Sequence, residues 1–273
     1  MKIEAKGLYK WFGLTRALVD INVSFASRKV VIMGPNGSGK STFLSILFGG
    51  LFPSKGYLRV NGYEPYKKRR RAIREMAIVF ERPYFDVDAK VKDVYTVLRD
   101  VGNSDCLEFF WDVINVKSIS TKILPELSSG QKQLVQLMQC LCRESRIKIL
   151  DEPFSHLDPS MVEKIGKFIV EDSKNEYIIT THVPEEAEWL GEYFVLMKEG
   201  SIIWHGKLED IWRDGLYEVY LRGKPPVGLK ILFSIGYVAI AKSTEEELIE
   251  LTNKGLITGY RKAGVRRFLF SET

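Results

Sequence analysis

The segment Gly34-Pro35-Asn36-Gly37-Ser38-Gly39-Lys40-Ser41-Thr42 satisfies G-x-x-x-x-G-K-[ST] at every required position. Each residue type in it has chemistry to do. Gly34, Gly37 and Gly39 reach backbone angles closed to other residues and let the main chain come close to a polyphosphate. The N–H groups from Gly37 to Thr42 can point at phosphate oxygens. A helix beginning near Lys40 adds the positive end of its dipole. Lys40 can reach β- and γ-phosphates, and Ser41 can set its hydroxyl on Mg²⁺. These residues predict a nucleotide site but not the machine that uses it.

Two more segments carry chemistry. Ile147-Lys148-Ile149-Leu150-Asp151-Glu152-Pro153 reads as a buried strand ending in adjacent carboxylates. That places both at the carboxyl edge of a parallel sheet, where ligands bind. Side chains alternate along a strand, so Asp151 and Glu152 point differently and can do different work. Asp151 suits Mg²⁺; Glu152 suits orienting or deprotonating a water. Leu127-Ser128-Ser129-Gly130-Gln131 precedes an apolar helix and offers bare N–H groups and hydroxyls to an anion.

The elements that must position these residues are legible in outline. Lys2 to Tyr9 and Val19 to Phe25 read as antiparallel strands. Val30-Val31-Ile32-Met33 is a short β-branched run, and Phe43 to Leu47 continues as an apolar helix, the context that the glycine loop requires. Tyr57 to Val60, Ala77 to Phe80, Ile147 to Leu150 and Tyr177 to Thr180 read as strands. From Val91 to about Val116 the pattern is mostly helical, and Leu134 to Leu141, Met161 to Val170 and Glu185 to Leu190 read as helices. Phe194–Met197 and Ile202–Trp204 read as a hairpin. Alternating strands and helices predict a mostly parallel sheet. Beyond about residue 216, Val238–Ala241, Ser243–Thr252 and Leu256–Thr258 suggest strand, helix, strand.

Composition bounds the function classes. The 273 residues carry a net charge of +5, with 45% hydrophobic and 27% charged residues, an ordinary globular balance. The basic run Lys67 to Arg71 reads as a solvated face ahead of the next strand, with contact to lipid headgroups or RNA as the alternative. No stretch approaches the ~18 consecutive apolar residues of a membrane helix. The segment Met1–Lys6 lacks the apolar core of a signal peptide. Cys106, Cys140 and Cys142 make an odd count, with the last two in a helical pattern, which predicts reduced thiols rather than a metal site.

Taken in order, Gly34–Thr42, Leu127–Gln131 and Asp151–Glu152 resemble the nucleotide-binding subunit of an ATP-binding-cassette (ABC) transporter, over roughly residues 3–210. Ser155-His156-Leu157-Asp158 resembles the family's D-loop, and His182 its switch histidine. Phe12, or less readily Trp11, resembles the aromatic that stacks on adenine. The resemblance implies an α/β P-loop NTPase fold. Its parts would be a mostly parallel central sheet, an N-terminal antiparallel β subdomain, a helical signature subdomain at about 84–142 and an ATPase domain over 1–215. Residues 216–273 would form a small C-terminal α+β appendage. It also implies ATP and Mg²⁺ as cofactors. Two subunits would close head to tail on two ATP molecules, Ser128, Ser129, Gly130 and Gln131 of one reaching the γ-phosphate held by Lys40 of the other. Glu152 would polarise water, His182 would sense the γ-phosphate, and Asp158 would couple the two sites. Ser41, Asp151 and Glu81 would face the metal.

Two positions depart from the family pattern. Glu81 stands where the Q-loop glutamine is usual, and Ser129 replaces the first glycine of the signature. The expected partners are a second ATPase subunit, in a homodimer, and an integral membrane permease docked near Arg82-Pro83-Tyr84-Phe85 to Val94. Nucleic acid is not expected, and the location implied is the cytoplasmic face of the cell membrane. The appendage loosely resembles that of two-component exporters, which favours export over import. The alternative is a soluble ABC ATPase without a permease, working on assembly or nucleic acid. The interval from Lys40 to Leu127 lacks the long heptad pattern of the DNA-repair members.

Overall fold

The computed structural model describes residues 1–212 and 215–265. Period-two patterning gives the first two strands, β1 (Lys2–Phe12) and β2 (Thr15–Ala26), which pair as an antiparallel hairpin. The apolar run β3 (Lys29–Met33) is buried throughout and feeds the glycine loop and α1 (Lys40–Phe48). β4 (Lys55–Val60) then returns to the other side of β1, giving a three-stranded sheet of order β2-β1-β4.

The chain continues through α2 (Arg69–Glu75), β5 (Met76–Val79), α3 (Val91–Val101), α4 (Ser104–Glu108) and α5 (Ser129–Cys142). It then forms β6 (Ile147–Asp151), α6 (Pro159–Glu171), β7 (Glu176–Thr181), α7 (Pro184–Leu190), β8 (Tyr193–Lys198) and β9 (Ser201–Gly206). The central sheet has order β5-β6-β7-β3-β8-β9, parallel except where β9 turns back on β8. The inner strands β3, β6 and β7 are buried at every position, hence on both faces, which explains their continuous apolar runs. Alternation sends Val30, Ile32, Ile149 and Ile178 to a core shared with α1 and the three-stranded sheet. Val31, Met33, Leu150 and Ile179 go to a second core, shared with α5 and α6.

After α8 (Leu208–Trp212), an antiparallel sheet of order β11-β12-β10-β13 closes the described chain. Its strands are β10 (Leu216–Leu221), β11 (Lys230–Ile235), β12 (Val238–Lys242) and β13 (Ile257–Lys262), and α9 (Glu245–Asn253) packs on it through Leu248. Thr244 caps α9 by accepting from Glu247 N–H. The sequence showed β12, α9 and β13 but not β10 or β11. The basic run, read as a solvated face, is indeed exposed, but from Arg69 onward it is the first turn of α2.

The stretch Val91 to Val116 is mostly helical, as expected, but divided into short pieces. α3 stops at Gly102, where a Cβ would stand 2.6 Å from Leu98 O and 2.8 Å from Cys142 O, so the close passage of α5's end admits only glycine. α4 follows, then a π-helical turn from Phe109 to Val113. The thiols are not all reduced: Cys106 on α4 and Cys142 at the end of α5 form a disulfide, with Cα atoms 5.2 Å apart, leaving buried Cys140 free. Spacing could not show this, because the pairing depends on how α4 folds back on α5.

Candidate functional site

The glycine loop joins the buried end of β3 to α1. Gly39 caps that helix with φ of 99°, and a Cβ there would meet Ala17 O at 2.6 Å, so conformation and space both demand glycine. A Cβ on Gly34 would stand 2.2 Å from Met197 O, which ties the loop's first residue to β8. A cavity of about 410 Å³ opens beside the loop. It is lined by Asn36, Gly37, Ser38, Gly39, Lys40, Ser41 and Thr42, by Thr15, Arg16 and Ala17 of β2, and by Glu81, Arg82 and Glu152.

Lys40 is buried, and its ammonium donates to Gly34 O at 2.8 Å and Pro35 O at 3.3 Å. The same nitrogen lies 3.7 Å from Glu152 Oε1. Parallel pairing of β6 with β7 sets Asp151 opposite Thr180. Thr180 Oγ1 donates to Asp151 Oδ1 at 2.5 Å and accepts from Glu152 N–H at 2.9 Å. Glu152 turns out of the strand with φ of 46°, and its Oε2 lies 3.0 Å from His182 Nδ1, on the turn after β7. The two carboxylates therefore face different partners. Burial pushes the Asp151 carboxyl above its usual range; hydrogen bonds from Thr180 and Ser41 oppose that, and the Glu81 charge adds to it.

Ser38 Oγ and Glu152 Oε1 are buried without a hydrogen-bond partner. Buried polar atoms are rarely left so, and two at one cavity indicate that a polar group belongs there. The donors that converge — the Ser41 hydroxyl, the Asp151 carboxylate and the nearby Glu81 carboxylate — are hard oxygens of the kind Mg²⁺ takes.

The other sequence-chosen residues lie outside this lining. Ser128 caps α5 by accepting from Gln131 N–H, while Gln131 Oε1 accepts from Ser128 N–H, both at 3.3 Å. Ser128 and Ser129 are exposed. A Cβ on Gly130 would meet His156 O at 2.6 Å, so α5 and the turn before α6 are in close contact there. Asp158 caps α6, accepting from Met161 N–H at 3.0 Å. Phe12 sits near the tip of the β1–β2 hairpin, 48% exposed, with the Lys10 ammonium 5.1 Å from its ring centre. Tyr84 is 80% exposed, whereas Phe85 packs against the core.

Sequence reading missed Thr180, Arg16 and Arg82. A threonine ending the strand beside two carboxylates was a usable signal. Arg16 and Arg82 reach the cavity through folding of the hairpin and of the segment after β5, which no local pattern announces.

The family model described as ABC transporter matches residues 18–155. An uncharacterized ABC transporter ATP-binding protein of Methanocaldococcus jannaschii is 29% identical over 253 residues, covering 91% of this chain and 94% of its own length. The sulfate/thiosulfate import ATP-binding protein CysA of Yersinia pseudotuberculosis is 29% identical over 228 residues, 78% of this chain; the chain spans 62% of that relative's length. A dimeric ATP-binding cassette solved in a post-hydrolysis state with ADP and Pi shares the fold, with a TM-score of 0.63, 22% identity, and coverage of 75% of this chain and 98% of that one. The family match spans the glycine loop, the segment Leu127–Gln131 and both strand-end carboxylates: the chain belongs to the ABC transporter family.

Proposed function

We propose that this chain is the ATP-hydrolysing subunit of a transporter and drives a separate membrane permease. The observation that carries the reading is the convergence of Lys40 and His182 on the Glu152 carboxylate at the rim of the loop-lined cavity. In the proposed reaction, loop N–H groups and Lys40 cradle the triphosphate of ATP. Ser41, Asp151 and Glu81 would hold Mg²⁺, which supplies charge neutralisation between the phosphates. Glu152 accepts the proton of a water aimed at the γ-phosphorus, and His182 orients the Glu152 carboxylate. Phe12 is proposed for the adenine.

The exposed Ser128 and Ser129 and the half-buried Gly130 and Gln131 lie outside the chain's own cavity lining, which supports the proposal that they complete the site of a second copy, with Asp158 near that interface. The exposed Tyr84 and Val87, beyond Glu81, support a permease-docking role for that segment. We propose residues 1–215 as the ATPase domain, with a helical subdomain near 84–142, and residues 216–273 as the appendage; residues 266–273 lie outside the described residues. Among the described residues no helix is long and apolar enough to cross a membrane. Export rests on the appendage; the import relative argues that the cassette alone does not set direction.

The test is affinity purification from detergent-solubilised membranes, followed by ATPase assay. A stoichiometric polytopic membrane protein and stimulated hydrolysis are expected. Robust ATPase activity with no membrane protein bound, at any detergent, would overturn the permease-coupled reading.

A further inference from the structure

Two glutamines, three residues apart on α5, bond the backbone next to two cavity-lining residues, Glu152 and Glu81. Gln133 is fully buried, and its Nε2 donates to Pro153 O at 2.9 Å. Gln136 Oε1 accepts from Phe80 N–H at 3.0 Å. The i, i+3 spacing puts both on one side of the helix. Pro153 directly follows Glu152, and Phe80 directly precedes Glu81, which lines the cavity. Phe80 also lies one residue past the end of the β5–β6 ladder, whose last pair is Val79 with Leu150.

We propose that Gln136 is a positioning residue for the hydrolytic site: by holding Phe80 N–H it sets where the Glu81 carboxylate stands. With Gln133 holding Pro153, α5 becomes a rigid member that joins Ser128–Gln131, at its start, to the segments bearing Glu81 and Glu152. The inference deepens the proposed ATPase reading and rests on it. Stability does not explain Gln136. Phe80 is about half exposed, so water can replace the glutamine oxygen at little cost to folding. What water cannot replace is a fixed direction for the chain as it leaves the sheet.

The experiment compares the full chain with Gln136→Leu, which removes the acceptor, and Gln136→Glu, which keeps one. Amide hydrogen exchange reads the segment after β5 directly. Faster exchange of Phe80 is expected in Gln136→Leu and wild-type exchange in Gln136→Glu, with the rest of the sheet unchanged. In the same proteins, the Mg²⁺ concentration for half-maximal ATPase activity is expected to rise roughly 10-fold in Gln136→Leu and to be restored in Gln136→Glu. In a Glu81→Gln background the Gln136→Leu effect is expected to shrink, because both changes act through one group. Wild-type exchange in Gln136→Leu, or an unchanged Mg²⁺ dependence despite faster exchange, overturns the proposal. A wild-type chain that hydrolyses no ATP defeats the functional reading instead. Exchange at Phe80, with the Mg²⁺ dependence of nucleotide binding, would then decide about Gln136.

Discussion

Glu152 Oε2 and His182 Nδ1 stand 3.0 Å apart although the two residues come from different strand ends, β6 and β7. Glu152 keeps its other oxygen buried, unbonded and 3.7 Å from Lys40. A carboxylate held this way has one face oriented and one face free to take a proton. Glu152→Gln keeps the shape and removes the basicity. Turnover should fall by roughly 10²–10⁴ while ATP binding persists, and ATP should accumulate a dimer in size-exclusion chromatography. Turnover equal to wild type would show that the base lies elsewhere.

Lys40 is poised at hydrogen-bond distance by carbonyl oxygens of its own loop, Gly34 and Pro35, with the Glu152 carboxylate further off at 3.7 Å. Those neutral contacts are readily exchanged for phosphate oxygens, which form stronger charge-assisted bonds. Lys40→Ala should weaken ATP affinity by roughly 10- to 100-fold, the range of about 1.5–3 kcal/mol for a hydrogen bond to a charged group. Isothermal titration that finds an unchanged affinity would remove Lys40 from the phosphate site.

The sequence made the loop, the carboxylate pair and most central strands legible because each rests on local signals: glycines at fixed offsets, β-branched runs, and strand-end acids. What it hid depends on tertiary approach. Cys106 finds Cys142 only because α4 folds back on α5. β10 and β11 carry mixed apolar and polar residues whose sides are decided by packing on α9 and on the main core. Arg16 and Arg82 meet at the cavity from distant parts of the chain. The basic run disguised α2 because arginines in a first turn oppose the helix dipole.

Glu81 lies close enough to Asp151 for its charge to hold that carboxyl further up. Glu81→Gln removes this repulsion and keeps an oxygen ligand for Mg²⁺. ATPase activity should be preserved or raised, with any loss staying within about threefold, under about 1 kcal/mol of barrier. A loss well beyond that, measured at saturating Mg²⁺, would assign Glu81 a role that an amide cannot fill.

Gly130 abuts a backbone atom, not a movable side chain, so Gly130→Ala forces the turn at His156 or the start of α5 to shift. Overpacking of this kind costs about 1–3 kcal/mol, which denaturant unfolding would register as a lowered midpoint. Ser129→Ala, at an exposed neighbour, should stay within about 0.5 kcal/mol of wild type. Equal stability of the two variants would mean that the contact between α5 and His156 is slack.

Lys148 makes stability depend on alkaline pH. It is buried, and its ammonium donates to Cys140 O, Arg143 O and Ser145 Oγ. Burial lowers its pKa from 10.5 to about 8. Between these values the unfolded chain binds the proton that the folded chain has released, so unfolding takes up a proton and stability rises with pH across that window. Below pH 8 both states are charged and the burial penalty is felt in full. Lys148→Met removes the titration. The stability of wild type relative to Lys148→Met should therefore climb from about pH 8 to pH 10.5, by at most on the order of 3 kcal/mol. Urea unfolding of both proteins across that range measures the difference. A flat difference would mean that the three acceptors hold the ammonium charged inside the fold.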